Sequence, residues 1–325
     1  YNKIINYYRL AGQKEKVTKA IKEFEENKKH HRYIKIQSKI PMKNAQQIYE
    51  AVNEYLEQLL EKTSEILILQ LCFDNGSLLF PSNERVKETV EKQMEQSDMH
   101  KYFSSKLNDF NNNTTSVSHE KLGEHQFYDV FLQNHTLPFM VELLNRAINK
   151  KKIGYFQIKK TLEKAAFGIS FDVNRGDSVI NYTWFSLIDI GIREFFKQLQ
   201  KAVKMKQTDW RFTIDFLVPK FEAIFREIVE NAGGDITKVK ENGDSELKPL
   251  EDLFASSIIK EIFNEDDIFL FRHTFTKVGW NIRNNVAHGL YKSFDYTLSK
   301  AILVFLCILR LNKVTIYIVN SKNKS

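Results

Sequence analysis

The chain contains few of the residues that tight turns and covalent cross-links require. Its 325 residues include 12 glycines, 5 prolines and 2 cysteines. Folds built from many short strands need frequent turn residues, so this shortage favours helices. Two cysteines cannot form a disulfide framework or a four-ligand zinc cage. Cys72 and Cys307 lie in apolar runs that are typical of buried side chains.

The sequence also lacks the short motifs of several enzyme classes. We find no phosphate-binding glycine loop, dinucleotide fingerprint, zinc-protease helix or nucleophile elbow. His119, Glu120, Glu124 and His125 cluster on one predicted helix, but such a cluster is more typical of a solvated face than of a metal site. The sequence therefore predicts neither a bound metal nor a cofactor.

No apolar run reaches the length of about 18–20 residues that a membrane span needs. The longest candidate, Ala301 to Leu311, contains Arg310. With no signal peptide in the sequence either, these features predict a cytoplasmic protein without a membrane segment. Because the chain begins at Tyr1 and not at Met, we expect it to be a piece of a longer protein.

The composition is that of a globular protein with a basic surface. Hydrophobic residues make up 42% of the chain, charged residues 27%, and the net charge is +7. The length suits one large domain or two ordinary ones. The positive charge permits a polyanionic partner such as RNA without requiring one.

Hydrophobic periodicity predicts an all-α fold. The first 27 residues read as a helical hairpin that resembles half of a tetratricopeptide-like repeat. An amphipathic helix is predicted from about Asn44 to Lys62, and Asp74–Gly76 reads as a turn. The run Glu65–Phe73 fits a helix or a strand, and Pro81–Asn83 predicts the start of a helix that ends near Gln96.

A polar, asparagine-rich stretch, DFNNNTTSVS at 109–118, predicts a linker and a domain or subdomain boundary, so the region before it is either a separate domain or packed on the bundle. Residues 1–108 would form an N-terminal helical region, interpreted as the end of a repeat array, and residues 119–325 a second helical domain. A further loop is predicted at 233–249, and Val314–Val319 as a short strand or a frayed helix. Helices are predicted at about 119–133, 138–150, 154–167, 183–204, 212–231, 249–263, 278–290 and 295–312.

The segment GWNIRNNVAHGL, Gly279 to Leu290, carries the most chemical information. On a helix, Asn284 and His288 lie one turn apart on the side opposite its apolar stripe, and the long side chain of Arg283 can reach them. An imidazole can exchange a proton with a ribose hydroxyl, and a guanidinium can bind a phosphate. The alternative is structural: Arg283 would pair with a carboxylate, and His288 would cap the helix before Gly289.

The pattern Arg283-Asn284-x-x-x-His288 resembles the signature of the HEPN superfamily (higher eukaryotes and prokaryotes nucleotide-binding). The fuller string is most similar to the domain of unknown function 4209 within it. That family places a helix of the type Leu-x-Pro-x-x-Glu-x-x-x-Arg upstream, which FLVPKFEAIFREIVENAGG at 216–234 resembles. An intervening helix is similar to PLEDLFASSIIKEIF at 249–263, and the resemblance spans about residues 210–312.

The resemblance implies a helical bundle that works as a homodimer and cuts RNA without a metal. Relatives serve in toxin–antitoxin systems, phage defence or RNA processing, so an antitoxin or regulatory partner is also implied. Arg283 and His288 would be catalytic, with Asn284 supporting them. Glu222 and Arg226 are weaker candidates for the same cleft, and their spacing also fits an ordinary surface ion pair.

Two basic stretches are candidate RNA contacts because cations neutralise phosphates and exposed aromatic rings stack on bases. One is KKHHRYIKIQSK at 28–39. The other runs from 150 to 160 and offers Lys150, Lys151, Lys152, Tyr155, Lys159 and Lys160. In the alternative interpretation both are solvated helix ends whose aromatic rings point into the core.

The sequence thus predicts a metal-independent endoribonuclease that uses the ribose 2′-hydroxyl as nucleophile. The alternative is a non-catalytic helical module that binds RNA or a nucleotide, or that serves as a protein scaffold. The alternative predicts an Arg283 held in a structural salt bridge and a His288 buried within one subunit.

Overall fold

The computed structural model describes residues 2–28, 45–73, 79–95, 104–108 and 114–322. Over these ranges the chain is mostly helical, as the sequence predicts. The predicted turn at Asp74–Gly76 and nearly all of the basic stretch at 28–39 lie outside them.

The helices of the N-terminal part agree with the sequence pattern. The first two, α1 and α2, pack against each other as the predicted hairpin. The ambiguous run Glu65–Phe73 is helical, because it packs into the core as part of α4. The bounds are α1 Asn2–Leu10, α2 Lys14–Lys28, α3 Ala45–Glu61, α4 Ser64–Phe73 and α5 Asn83–Glu95.

The remaining helices follow the predicted order, and the ambiguous segment after residue 313 is helical. A π-helical stretch, Leu132–Thr136, joins α6 to α7, and a 3-10 turn, Ala166–Gly168, follows α8. The bounds are α6 His119–Phe131, α7 Leu137–Asn149, α8 Tyr155–Glu163, α9 Trp184–Val203, α10 Arg211–Asn231, α11 Leu250–Phe254, α12 Ser257–Ile262, α13 Glu265–Phe275, α14 Ile282–Ala287, α15 Leu298–Leu311 and α16 Val314–Lys322.

The described residues also form three antiparallel β-hairpins. They are β1 Ser104–Asn108 with β2 Thr114–Ser118, β3 Ser170–Arg175 with β4 Ser178–Thr183, and β5 Thr237–Val239 with β6 Ser245–Leu247. The prediction of an unstructured linker is therefore wrong for residues 114–118, where β-branched residues pair with β1 and Val117 is buried. The predicted loop at 233–249 contains β5 and β6.

The helices differ from the sequence pattern in two places. The pattern predicts no helix at 264–277, yet α13 lies there. Because α13 is buried on nearly every side, it lacks the amphipathic period that predicts a helix. The helix expected at 278–290 is only Ile282–Ala287. It starts after Asn281, whose left-handed φ of 52° is incompatible with a continuing helix.

The core is organised around α15. Every residue from Ala301 to Leu311 is buried, and α15 contacts α4, α7, α10 and α13. One continuous apolar cluster runs from Leu56 in α3 to Val314 in α16. The helices on both sides of the predicted boundary at 109–118 therefore bury their apolar faces in the same core.

Among the described residues, one helical stretch, Leu298–Val319, is 22 residues long and apolar enough by length and composition to cross a membrane, so it exceeds the run Ala301–Leu311 expected from the sequence. In this structure 72% of it is buried inside the protein, and a core helix meets the same criteria. It also carries buried charge, because Arg310 and Lys313 pair with Asp267 at 3.5 and 2.6 Å.

Candidate active site around Arg283

The Arg-Asn segment is tied to the core through its contact with α13. The backbone N–H of Trp280 donates to the carbonyl of His273 at 2.7 Å. Gly279 allows this approach, since a Cβ on that residue would lie 1.8 Å from the same carbonyl oxygen. The indole N–H of Trp280 donates to Asp129 on α6. The first turn of α14 is therefore fixed in position by residues outside it.

Glu222 of α10 lies between two guanidinium groups. Its carboxylate accepts two hydrogen bonds from Arg283, at 2.7 Å from Nε and 3.1 Å from the terminal Nη2. Arg226, one turn further along α10, donates to the same carboxylate at 2.6 Å and to the carbonyl of Lys248 at 2.6 Å. Paired bonds of this kind fix both the position and the plane of the Arg283 guanidinium.

The ionisation of Glu222 is set by its two partners. Burial, the largest single influence, raises the pKa of this carboxyl group, but the hydrogen bonds and charges of Arg283 and Arg226 outweigh it. The net effect lowers the pKa of Glu222 below its ordinary value. Glu222 is therefore an anion at neutral pH and holds Arg283 in place.

Asn284 completes the arrangement. Its amide oxygen accepts from Arg283 at 2.9 Å, and its amide nitrogen donates to the side chain of Asn281 at 2.7 Å. A guanidinium has five N–H donors, and Arg283 uses three of them in these contacts. Two N–H groups remain on a side chain that is 32% exposed, so they are available to an oxyanion.

Arg283 and Asn284 form one wall of a cavity of about 350 Å³. The rest of the lining is largely apolar and comes from α11 and from the end of α13 with the turn that follows: Pro249, Leu250, Glu251, Phe275, Thr276, Lys277 and Val278. This volume is within the range of small-molecule sites, about 300–1,000 Å³. A phosphate held by Arg283 would have an apolar recess beside it.

His288 lies at the other end of α14, outside that cavity. Its backbone N–H closes the last turn by donating to the carbonyl of Asn284 at 3.0 Å, and Gly289 ends the helix with a φ of 61°. The imidazole is exposed and makes no hydrogen bond or ion pair with any described residue. It is accessible to a ligand or a second subunit.

The structure thus brings together four of the five motif residues that the sequence singles out. Arg283, Asn284, Glu222 and Arg226 form one hydrogen-bonded network, so Glu222 and Arg226 are more than an isolated surface pair. His288 does not join this network. Its expected convergence with Arg283 is not formed within one subunit.

The basic stretch at 150–160 is partly engaged in contacts within the protein. Three of its lysines have partners: Lys150 with Glu57 at 2.6 Å, Lys152 with the carbonyl of Lys62 at 3.0 Å, and Lys159 with Glu163 at 3.7 Å. Lys151 and Lys160 are exposed. Tyr155 donates to Asp189, and Arg193 lies over its ring at 5.0 Å. The most exposed aromatic ring here is instead Phe156, at 76%.

Sequence reasoning missed a buried histidine pair. His125 of α6 and His273 of α13 face each other with their Nδ1 atoms 2.9 Å apart. Burial, the largest cause, and the neighbouring imidazole of His273 lower the pKa of His125 to about 3. His125 therefore does not lie on a solvated face. No group of three or more possible metal-ligating side chains occurs in the described ranges.

No protein-family model, curated protein or solved structure matches this chain. The resemblance to the HEPN superfamily consequently depends on the Arg-Asn-x-x-x-His motif and the upstream helix.

Proposed function

We propose that this protein is a HEPN-like endoribonuclease that cleaves RNA without a metal. The observation that carries the proposal is the fixed guanidinium of Arg283. It is oriented by Glu222 and Asn284, retains two free N–H donors and borders a cavity. Such a group can hold a phosphodiester and stabilise the extra negative charge of its transition state.

The chemistry requires one base and one acid. The exposed imidazole of His288 takes the proton from a ribose 2′-hydroxyl, and the 2′-oxygen attacks the adjacent phosphorus. The bond to the 5′-oxygen breaks, and that oxygen receives a proton. The products are a 2′,3′-cyclic phosphate and a 5′-hydroxyl. Glu222 and Arg226 act by positioning Arg283, not by touching the RNA.

A homodimer would supply both proton-transfer groups. One subunit offers a single exposed imidazole near the motif, whereas a two-fold arrangement places His288 and the partner subunit's His288 around one cleft. The same arrangement would join two Arg283 groups across the RNA. We further propose that the protein acts in the cytoplasm in phage defence, toxin–antitoxin function or RNA processing, under the control of an antitoxin or regulatory partner.

The test is incubation of the purified protein with total RNA in excess EDTA. Wild type should cleave, and His288→Ala should lose cleavage by about 100-fold or more, the usual contribution of a general acid or base. His135→Ala is the matched control, because His135 is another exposed histidine that lies outside the motif. Equal cleavage by His288→Ala and wild type would contradict the mechanism.

One observation favours the alternative, a non-catalytic binding module. Arg283 is in a two-bond salt bridge with Glu222, as that alternative predicts, although its prediction of a buried His288 is wrong. A binding module would retain RNA in a filter-binding assay and lose it on Arg283→Ala, while neither protein would produce cleavage.

A further inference from the structure

A second cavity, of about 340 Å³, lies among α5, α6, α12 and α13. Its lining includes none of the motif residues, so it is separate from the cavity beside Arg283. His125, Phe269 and Ile268 provide the buried or largely buried part of the lining. We name it the His125 cavity.

The imidazole of His125 is held rigidly in this cavity. It is 4% exposed and stacks on Phe269, with ring centroids 4.7 Å apart. The ring of His273 lies edge to edge with it and nearly parallel, with centroids 5.2 Å apart. Its Nδ1 contacts Nδ1 of His273, and its Nε2 has no hydrogen-bond partner among the described residues. This nitrogen belongs to a side chain that lines the cavity, so it is a position where a ligand can bind.

The neighbouring carboxylate determines which nitrogen carries the proton. Asp129 accepts from the indole of Trp280 and from Gln133, which keeps it ionised. Nε2 of His273 lies 3.6 Å from this carboxylate and must carry a proton, since a lone pair facing an anion would be repelled. Nδ1 of His273 is then an acceptor, and Nδ1 of His125 is the donor. The free Nε2 of His125 is therefore an unprotonated acceptor.

Asn83 adds a second unsatisfied acceptor to the same lining. Its amide nitrogen donates to Glu265 at 2.8 Å, which fixes the orientation of the amide group. Its amide oxygen is buried and has no hydrogen-bond partner within the part of the chain that the structure describes. The His125 cavity thus offers two acceptors, Nε2 of His125 and the amide oxygen of Asn83. Its lining also contains Nε of Arg272, a buried donor without a hydrogen-bond partner among the described residues. A ligand that fits this lining donates hydrogen bonds and also accepts one.

The charges around the cavity nearly cancel. The cations Lys87, Lys121, Lys260 and Arg272 face the carboxylates Glu120, Glu124 and Glu265. Lys87 and Glu265 already pair at 3.5 Å. A site with so little excess charge is poorly suited to a polyphosphate and suits a neutral molecule that also carries hydroxyl groups.

We propose that the His125 cavity binds an uncharged heterocycle with an exocyclic amino group, of which adenosine is the model. The amino group would donate to Nε2 of His125, and a further N–H or O–H of the same molecule would donate to the amide oxygen of Asn83. The flat ring would lie against the apolar part of the lining. The volume of the cavity is within the range of ligand sites.

Adenosine and purine riboside form a matched pair of probes. They differ at one position, where the amino group of adenosine is replaced by a hydrogen atom that cannot donate to His125. Isothermal titration of the full chain should give a Kd for adenosine below about 1 mM. Purine riboside should bind at least about tenfold more weakly, because Nε2 of His125 would then lose its donor. Equal binding, tighter binding of purine riboside or no binding of adenosine would overturn the proposal.

Variants locate the site. His125→Phe keeps a flat ring in the stack and removes the acceptor, so adenosine binding should weaken about tenfold or more. His135→Phe, outside the cavity, should leave it unchanged. Because a core variant can fail to fold, the ¹⁵N NMR signal of His125 in wild type is a second readout. Nε2 should have the shift of an unprotonated nitrogen and move on adding adenosine, whereas a protonated or unmoved Nε2 would contradict the proposal.

Discussion

Glu222 is a carboxylate with two cationic partners and little contact with water. Its side chain is 14% exposed, as is that of Arg226. Removing the charge would leave two guanidinium groups side by side without an anion between them. At such a site the loss of one partner costs more than the interaction itself contributed.

Glu222→Gln should therefore lower the free energy of unfolding by about 1–3 kcal/mol in urea titrations at pH 7. The control is Asp209→Asn, because Asp209 pairs with Arg211 at an exposed position, where about 1 kcal/mol or less is expected. The same loss in both variants would contradict a special role for Glu222.

The difference in unfolding free energy between wild type and Glu222→Gln should decrease at low pH. The pKa of Glu222 is lowered in the folded protein, so its contribution is complete above its unfolded pKa of about 4.3. It is lost as the pH falls through the folded value. The gap between wild type and Glu222→Gln should narrow below about pH 4.

Single residues were predictable where they belong to a local pattern. Arg283 and Asn284 stand in a short motif, and Glu222 and Arg226 are one turn apart on one helix. The pairing of His125 with His273 joins positions 148 apart in the sequence and depends on how α6 packs near α13. No local spacing contains that information.

At the scale of elements, the position of α14 depends on a close backbone approach. Gly279 lies where any Cβ would clash with the carbonyl of His273, a group that cannot rotate away. The contact holds the turn before the Arg-Asn motif against α13.

Gly279→Ala should cost at least about 2 kcal/mol of unfolding free energy, because the clash is with backbone. Gly154→Ala is the matched control. There the new methyl group would meet only the flexible side chain of Gln157, and we expect a change below about 1 kcal/mol. Chemical denaturation measures the stability change of both variants. An equally small change in Gly279→Ala would show that the turn can shift to relieve the clash.

Helices with an amphipathic period were predictable, and fully buried or very short elements were not. The long helices α9 and α10 agree with prediction to within about two residues. Buried α13 has no polar face, so it lacks an amphipathic period. Its start is nevertheless marked in the sequence, because Asn264 caps it and acidic residues fill its first turn. The hairpins β3–β4 and β5–β6 have strands of six and three residues, which carry little periodic signal.

At the scale of the whole molecule, the single core is the main departure from the sequence reading. Composition marks 109–118 as a boundary, but helix α4 packs against α8 and α15 on the far side of it. Which residues share a core is a property of tertiary packing, and loop composition does not determine it.

Residues 45–322 should accordingly unfold in one step. Cys72 in α4 is fully buried, so its reactivity with a thiol reagent reports the N-terminal part, once Cys307→Ala has removed the other thiol. The tryptophans Trp184, Trp210 and Trp280 report the C-terminal part by fluorescence. Both probes should give the same urea midpoint, as expected for one cooperative unit. Two separate midpoints would mean independent domains.

The proposed cleavage of RNA depends on the fixed guanidinium of Arg283 and the exposed imidazole of His288. The most direct measurement is mass spectrometry of the fragment ends after wild-type protein has acted on total RNA in EDTA. We expect 2′,3′-cyclic phosphates and 5′-hydroxyls from wild type, and the loss of both in His288→Ala. Fragments with 3′-hydroxyl and 5′-phosphate ends, or intact RNA, would contradict the proposed mechanism.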